Sequence, residues 1–216
     1  MRILWWVLLA YCVLGAAVSR SPPTLNKDFE ARGHFLVVDA SGRNISSFEY
    51  HSWENWKEQR FRMDQTTPPI QTNLFLCAPN PPINSKKQGA QGGSFLIFNK
   101  THCDVQCKDG QSCGGRGCGC EQDKEGGLFD PFPNLSSSEL DGTCYGGRGE
   151  LWKTTYHDNE VKISYCILPS SSTEGIPLYI LSRNQDDAGY SNYTFTFWKP
   201  GIPSNTVFNI PPYCNC

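Results

Sequence analysis

Apolar and polar residues alternate with a period of two along most of this chain, and helical periodicity is scarce. Residues 29–38, "FEARGHFLVV", read as a first strand. "NISSFEYHSW" and "WKEQRFRMD" then flank a turn near Glu54 and Asn55, which predicts a hairpin. In its second arm Gln59, Phe61 and Met63 oppose Glu58, Arg60, Arg62 and Asp64, one apolar face against one charged face. "QTNLFLC" and "SFLIFN" follow, separated by a Pro-rich loop from Ala78 to Gly93. Further on, "GELWKTTYH", "EVKISYCIL", "IPLYILSR" and "YTFTFWK" have the same character. Val161, Ile163, Tyr165 and Ile167 share one face, and Tyr193, Phe195 and Phe197 oppose Thr194, Thr196 and Trp198. Eight or nine strands joined by turns such as "HDNE" and "NQDDAGYSN" predict an all-β antiparallel domain, a sandwich or open barrel.

A curved sheet of this kind presents alternate large apolar residues on its concave face. The candidates for a ligand pocket are Tyr50, Phe61, Met63, Phe75, Phe95, Ile97, Trp152, Ile163, Tyr165, Phe195 and Phe197. Alternation alone allows two outcomes: these residues line a cavity with polar groups at its mouth, or they pack against a second sheet. Trp53 and Trp56, beside the predicted turn, either rim such a pocket or cover the sheet edge.

The first nineteen residues are of a different kind. Arg2 precedes an apolar run from Ile3 to about Leu14, closed by Gly15, Ala16, Ala17 and Ser19. That is the form of a secretory signal peptide, cleaved after Ala17 or Ser19. Its apolar run falls short of the roughly 20 residues that span a bilayer. Residues 20–216 then form one domain, which buries roughly 70% of its unfolded surface. A formal net charge of −2 gives no basic excess for nucleic acid. Four Asn-x-Ser/Thr acceptors, Asn44, Asn99, Asn134 and Asn192, agree with an exported glycoprotein, secreted or held in the lysosomal lumen.

Of eleven cysteines, Cys12 lies in the leader. The remaining ten are Cys77, Cys103, Cys107, Cys113, Cys118, Cys120, Cys144, Cys166, Cys214 and Cys216. An even count in an oxidising compartment reads as disulfides. The stretch 103–144 holds six of them among glycines and predicts a local disulfide knot, a surface excursion without regular core strands. No paired C-x-x-C knuckles offer a zinc site, and His102 is the only imidazole nearby. His34, His51, His102 and His157 sit in no nucleophile or metal motif, although His34 and His51 could meet on adjacent strands. No carboxylate pair is singled out for glycosidic chemistry. The expectation is a protein that is not an enzyme and requires no cofactor.

At "VFNIPPYC", residues 207–214, the chain resembles the ependymin-related proteins, which close with a similar Val-Phe-x-x-Pro-x-x-Cys-like element. "SGRNISSFEYHSWENWKEQRFRMD" is similar to that family's early hairpin. "LWKTTYHDNEVKISYCILP" resembles its central Trp followed by a Cys before a Pro-containing loop, and "FTFWKPGIPSNTVF" its last strand. The resemblance runs over residues 29–216. It implies two antiparallel sheets around a deep apolar pocket, as in bacterial lipoprotein carriers, and a role in binding lipid. Calcium and homodimer formation are implied with it, Asp186 and Asp187 of "NQDDAGYSN" being the calcium candidates, though the same loop reads as a plain hairpin turn. The resemblance also implies pairing of Cys103 with Cys214 and of Cys77 with Cys216. Two departures stand out. No cysteine before Cys77 matches the family's usual partner of Cys166, and residues 104–150 are richer in Cys and Gly than the family pattern.

Two functions follow as expectations. The first is a secreted glycoprotein holding a fatty acid or lipid between two β-sheets. The second is an extracellular adhesion, matrix or inhibitor protein that recognises a protein partner through its Cys-rich insert, in which bridges have already ordered the contact loop.

Overall fold

The computed structural model describes residues 20–58, 60–76, 93–106, 131–156, 161–169, 174–184 and 189–214. The predicted leader, most of the Cys-rich stretch, Cys77, Cys216, His157, Asp186 and Asp187 lie outside the described residues. The strands are β1 (Phe29–Val38), β2 (Asn44–Asn55), β3 (Arg60–Gln65), β4 (Gln71–Leu76), β5 (Gly93–Phe98) and β6 (His102–Gln106). They continue as β7 (Glu139–Cys144), β8 (Gly149–Tyr156), β9 (Val161–Leu168), β10 (Ile176–Asn184) and β11 (Tyr190–Pro200). The all-β antiparallel fold expected from the alternation is what the chain adopts. Its arrangement is an open half-barrel, one sheet ordered β6-β5-β4-β3-β2-β1-β11-β10-β9-β8-β7.

The two expected sheets are thus two meanders, β1–β6 and β7–β11, joined where β1 pairs with β11 from Phe29↔Pro200 to Val38↔Tyr190. Cross-strand partners point to the same side of a sheet, so the registers sort the side chains into two faces. One face carries Phe29, Ala31 and Phe35 with Phe48, Tyr50, Trp198, Phe195 and Tyr193. It continues through Phe61, Met63 and Phe75 on one wing, and through Ile180, Tyr165 and Trp152 on the other. We call it the aromatic face. Every Arg and Lys of the described strands lies on the opposite face. Arg32, Arg60 and Arg62 are there on β1 and β3. Lys153, Lys162, Arg183 and Lys199 are there on β8 to β11.

Two cores hold the sheet, one on each face. On the aromatic face of β8, β9, β11 and β1, Trp152, Tyr165, Ile163, Ile167, Phe29 and Ala31 pack beneath Leu25, Phe132 and Leu135. Burying each such large side chain stabilises by roughly 1.5–3 kcal/mol. The covering turn is tethered by the Tyr165 hydroxyl, which donates to the Pro133 carbonyl at 2.6 Å. On the opposite face of β4 and β5, Leu74 and Ile97 pack under Phe208 and Cys214 of the C-terminal segment. Arg62 reaches the same segment, donating to the Val207 carbonyl at 2.7 Å.

Both described ends of the Cys-rich stretch correct the expectation of a surface excursion. Cys103 lies in β6 and Cys144 in β7, and Phe132 and Leu135 are core residues at 4% and 6% exposure. Residues 131–138, "PFPNLSSS", lack strand alternation because they fold as a turn over the sheet that buries Phe132, Leu135 and Ser138. Two disulfides are present among the described residues. Cys103 pairs with Cys214, as the family resemblance implied, at a Cα separation of 5.1 Å. Cys144 does not belong to a local knot: it pairs with Cys166, Cα to Cα 6.0 Å, and so supplies the partner that Cys166 lacked. The turn before β8 makes this geometry available. Tyr145, Gly146 and Gly147 all take positive φ (51°, 68° and 84°), which bends the chain back at once. A side chain at Gly149 would lie 2.8 Å from the Cys144 sulfur.

The four glycan acceptors occupy unequal positions. Asn44 and Asn99 are exposed, at a strand start and in the β5–β6 turn. The Asn134 side-chain amide donates to the Thr155 carbonyl at 2.8 Å. Asn192 is half-buried in β11, with its Oδ1 enclosed and unpartnered among the described residues. Glycopeptide mass spectrometry of protein from a eukaryotic secretory host should therefore find glycans on Asn44 and Asn99 and leave Asn192 bare. Full occupancy at Asn192 would contradict this placement.

Candidate ligand face

Beyond the first core the aromatic face continues as a band of rings. Phe35 of β1 lies 5.0 Å from Phe48 of β2 and 4.4 Å from Tyr193 of β11, centroid to centroid. Tyr50 stands edge-on to Tyr193 at 6.0 Å and to Phe195 at 6.4 Å. Farther along, Phe61 of β3 and Phe75 of β4 are neighbours at 6.0 Å. Tyr50 is buried, whereas Phe35, Phe48, Phe61, Phe75, Tyr193 and Phe195 are half-buried. Aromatic pairs at these spacings interact favourably beyond simple area burial.

Tyr50 has a local reason for its position. It sits directly across from Gly33, and any side chain at Gly33 would overlap the Thr194 carbonyl and come within 2.8 Å of the Tyr50 hydroxyl. The ring occupies the space a glycine leaves, an arrangement seen where aromatics cover strand glycines. Its hydroxyl donates to the Thr194 carbonyl at 3.4 Å. Burial pushes the phenols of Tyr50 and Tyr193 above the ordinary tyrosine range, so both stay neutral donors at physiological pH.

Polar groups on this face are few. Gln65 and Gln71 face each other across β3 and β4 in the same row as Tyr50, with Asn73 beside them. Gln71 donates to Asn73 Oδ1 at 3.3 Å, and Gln65 to the Thr67 carbonyl at 3.1 Å. Ser52 and Glu54 are buried on β2, at 5% and 3% exposure.

The sequence candidates divide. Tyr50, Phe61, Met63 and Phe75 share the aromatic face outside the covered core, and Phe195 shares it while packing against that core's edge. Trp152, Ile163 and Tyr165 are on that face but are sealed under Phe132 and Leu135, so they are core. Ile97 lies on the opposite face beneath Phe208 and cannot line the same surface. Phe197 is also on the opposite face, 40% exposed, with the Arg32 guanidinium 5.3 Å above its ring. A bulge explains it. Arg32 pairs with Phe197 but Gly33 with Phe195, so Thr196 is an extra residue and reverses the alternation. Thr196 donates its hydroxyl to the Arg32 carbonyl at 3.3 Å. The Phe95 side chain lies outside the described residues.

Phe35, Phe48 and Tyr193 join this face beyond the sequence candidates. Phe48 and Tyr193 were readable by alternation with Tyr50 and Phe195, whereas Phe35 sits in the continuous run "FLVV", which shows no face. Trp53 neither rims a pocket nor stands free: it stacks on His51 at 3.8 Å on the opposite face, with Arg62 above it at 5.5 Å. Trp56 lies in the β2–β3 turn under the Lys27 ammonium at 4.4 Å. His34 and His51 do not meet as a pair. His34 bonds Ser47 Oγ at 2.7 Å and His51 bonds Glu30 at 2.9 Å.

No protein-family model and no curated protein matches this chain. The ependymin-like resemblance therefore stands on the sequence segments alone. Among solved structures the chain is similar to a LolA superfamily protein from Nitrosomonas europaea, with a TM-score of 0.44 and 7% identity over 87% of this chain and 92% of that one. It is similar to an uncharacterized conserved protein from Thermus thermophilus, with a TM-score of 0.43 and 7% identity over 86% and 88%. MucB gives a TM-score of 0.40 and 17% identity, and this chain spans 88% of its own length but 60% of MucB. At these scores the likeness carries nothing about what this chain binds.

Proposed function

We propose that the protein is a secreted carrier that binds an apolar ligand, an acyl chain or a comparable lipid-like molecule, against its aromatic face. The observation that carries this reading is the band of half-buried rings from Phe35 and Tyr193 through Tyr50 to Phe61 and Phe75. On the far wing the same face is closed by Phe132 and Leu135, whereas neither core cluster takes in these rings except Phe195. Two disulfides support an oxidising compartment. No helix among the described residues is long and apolar enough to cross a membrane.

Delipidated protein titrated calorimetrically with 1-monoacylglycerols of increasing chain length tests the proposal. One site should be found per chain. Affinity should rise by about fourfold per methylene, the equivalent of about 0.8 kcal/mol. Phe48→Ala, which removes a half-buried ring without touching either core, should weaken binding by about tenfold. Saturable binding absent at every chain length would sink the idea.

A further inference from the structure

The partition of charge between the two faces bears on which lipid the aromatic face accepts. All seven Arg and Lys side chains of the described strands stand on the opposite face. Several are fixed there by partners: Arg62 chelates Asp64 at 2.8 and 2.9 Å, and Lys153 bridges to Asp141. Arg20, outside the strands, is engaged with Glu150 at 3.0 Å. The aromatic face instead carries Glu54, which is 3% exposed and lies in register with Phe29 and Phe61. Glu150, on the far wing of this face, is the carboxylate paired with Arg20, and His102 stands at the edge strand against Phe98. Beside Tyr50 the polar groups are uncharged: the Tyr50 and Tyr193 hydroxyls, Ser52, and the side-chain amides of Gln65, Gln71 and Asn73.

We infer that the ligand has an uncharged head: an apolar chain ending in a hydroxyl, ester or amide, seated on the hydroxyls and amides beside Tyr50. The inference deepens the proposed function and rests on it. A carboxylate drawn from water onto this face beside Tyr50 would find no Arg or Lys of the described strands there. A buried charge without a counter-charge is strongly disfavoured. A hydroxyl, ester or amide head needs only neutral donors and acceptors, and those are what the face supplies.

Calorimetric titrations at pH 7.5 with three ligands of one chain length, 1-monolaurin, laurate and dodecylamine, each below its micelle concentration, test this. Monolaurin is expected to bind at least about tenfold more tightly than laurate, since desolvating a charged group without a counter-charge costs at least that much. Laurate binding as tightly as monolaurin, or more so, overturns the inference and leaves the apolar-ligand reading standing. Dodecylamine binding tightest of the three overturns it in the same way, assigning the face to cations. Failure of all three to saturate removes the reading itself, and the inference with it. Met63→Lys places an ammonium on the aromatic face between Ser52 and Asn73. If its circular dichroism matches wild type, it should raise laurate affinity by about tenfold. A folded Met63→Lys protein with laurate affinity unchanged overturns the inference too.

Discussion

A Gly33→Val protein is expected to be less stable by about 3 kcal/mol or more, a fall in melting temperature of about 10 °C. The cause lies in the backbone. The first atom of any side chain at Gly33 would overlap the Thr194 carbonyl of the neighbouring strand, which cannot withdraw without opening the β1–β11 pairing. Among the described strands that pairing is the one place where the two meanders join in the sheet order, so strain there is felt by both wings. The same atom would press on the Tyr50 hydroxyl. Gly33→Ala should therefore also change the near-ultraviolet circular dichroism of the Tyr50–Tyr193 pair and weaken monoacylglycerol binding. Thermal melts of both variants decide the point. Wild-type melting of Gly33→Val would show that β1 and β11 do not approach as closely as described.

The same position shows where reading the sequence stops. The strand over 29–38 is legible because its apolar content and length are those of a strand, and β1 spans Phe29–Val38. The bulge opposite Gly33 is not legible. "YTFTFWK" alternates without interruption, and nothing in it marks Thr196 as the residue that drops out of register. Every face assignment after that point is reversed, which moves Phe197 outward and Trp198 into the core. The face of Ile97 is illegible for another reason. "FLIF" is apolar throughout, so alternation cannot assign its faces, and the second core that claims Ile97 is built by a segment more than a hundred residues later. Phe132 and Leu135 carry no signal in the sequence because a turn buries isolated side chains with no period. Sequence spacing groups Cys144 with its neighbours, whereas its partner Cys166 stands across β8.

Removing the Cys103–Cys214 bridge, as Cys103→Ser with Cys214→Ser, should cost the domain about 2–5 kcal/mol. The bridge closes a loop across a sequence separation of 111, and in the chain-entropy account long loops gain most from closure. Its native-state role is local. Cys103 lies at the end of the sheet, beside Ile97, and Cys214 ends a segment whose Phe208, Val207 and Ile210 cover Leu74 and Ile97. Without the bridge this cover is held by apolar contact and by Arg62 on the Val207 carbonyl. The second core should then open at lower cost than the first, which is closed on the other face by Phe132 and Leu135 and does not depend on residues 201–214. Hydrogen exchange separates the two. Amides of β4 and β5 should lose protection in the double-serine protein while those of β8 and β9 keep theirs, and urea denaturation should report the whole loss. Equal loss of protection in both regions would mean that the two cores unfold as one unit. Unchanged denaturation would mean that the C-terminal cover stays seated without its covalent tie. Ligand binding offers an independent check, because this core and the aromatic face lie on opposite sides of the sheet: monoacylglycerol affinity should be nearly unaffected in the double-serine protein under conditions where it remains folded.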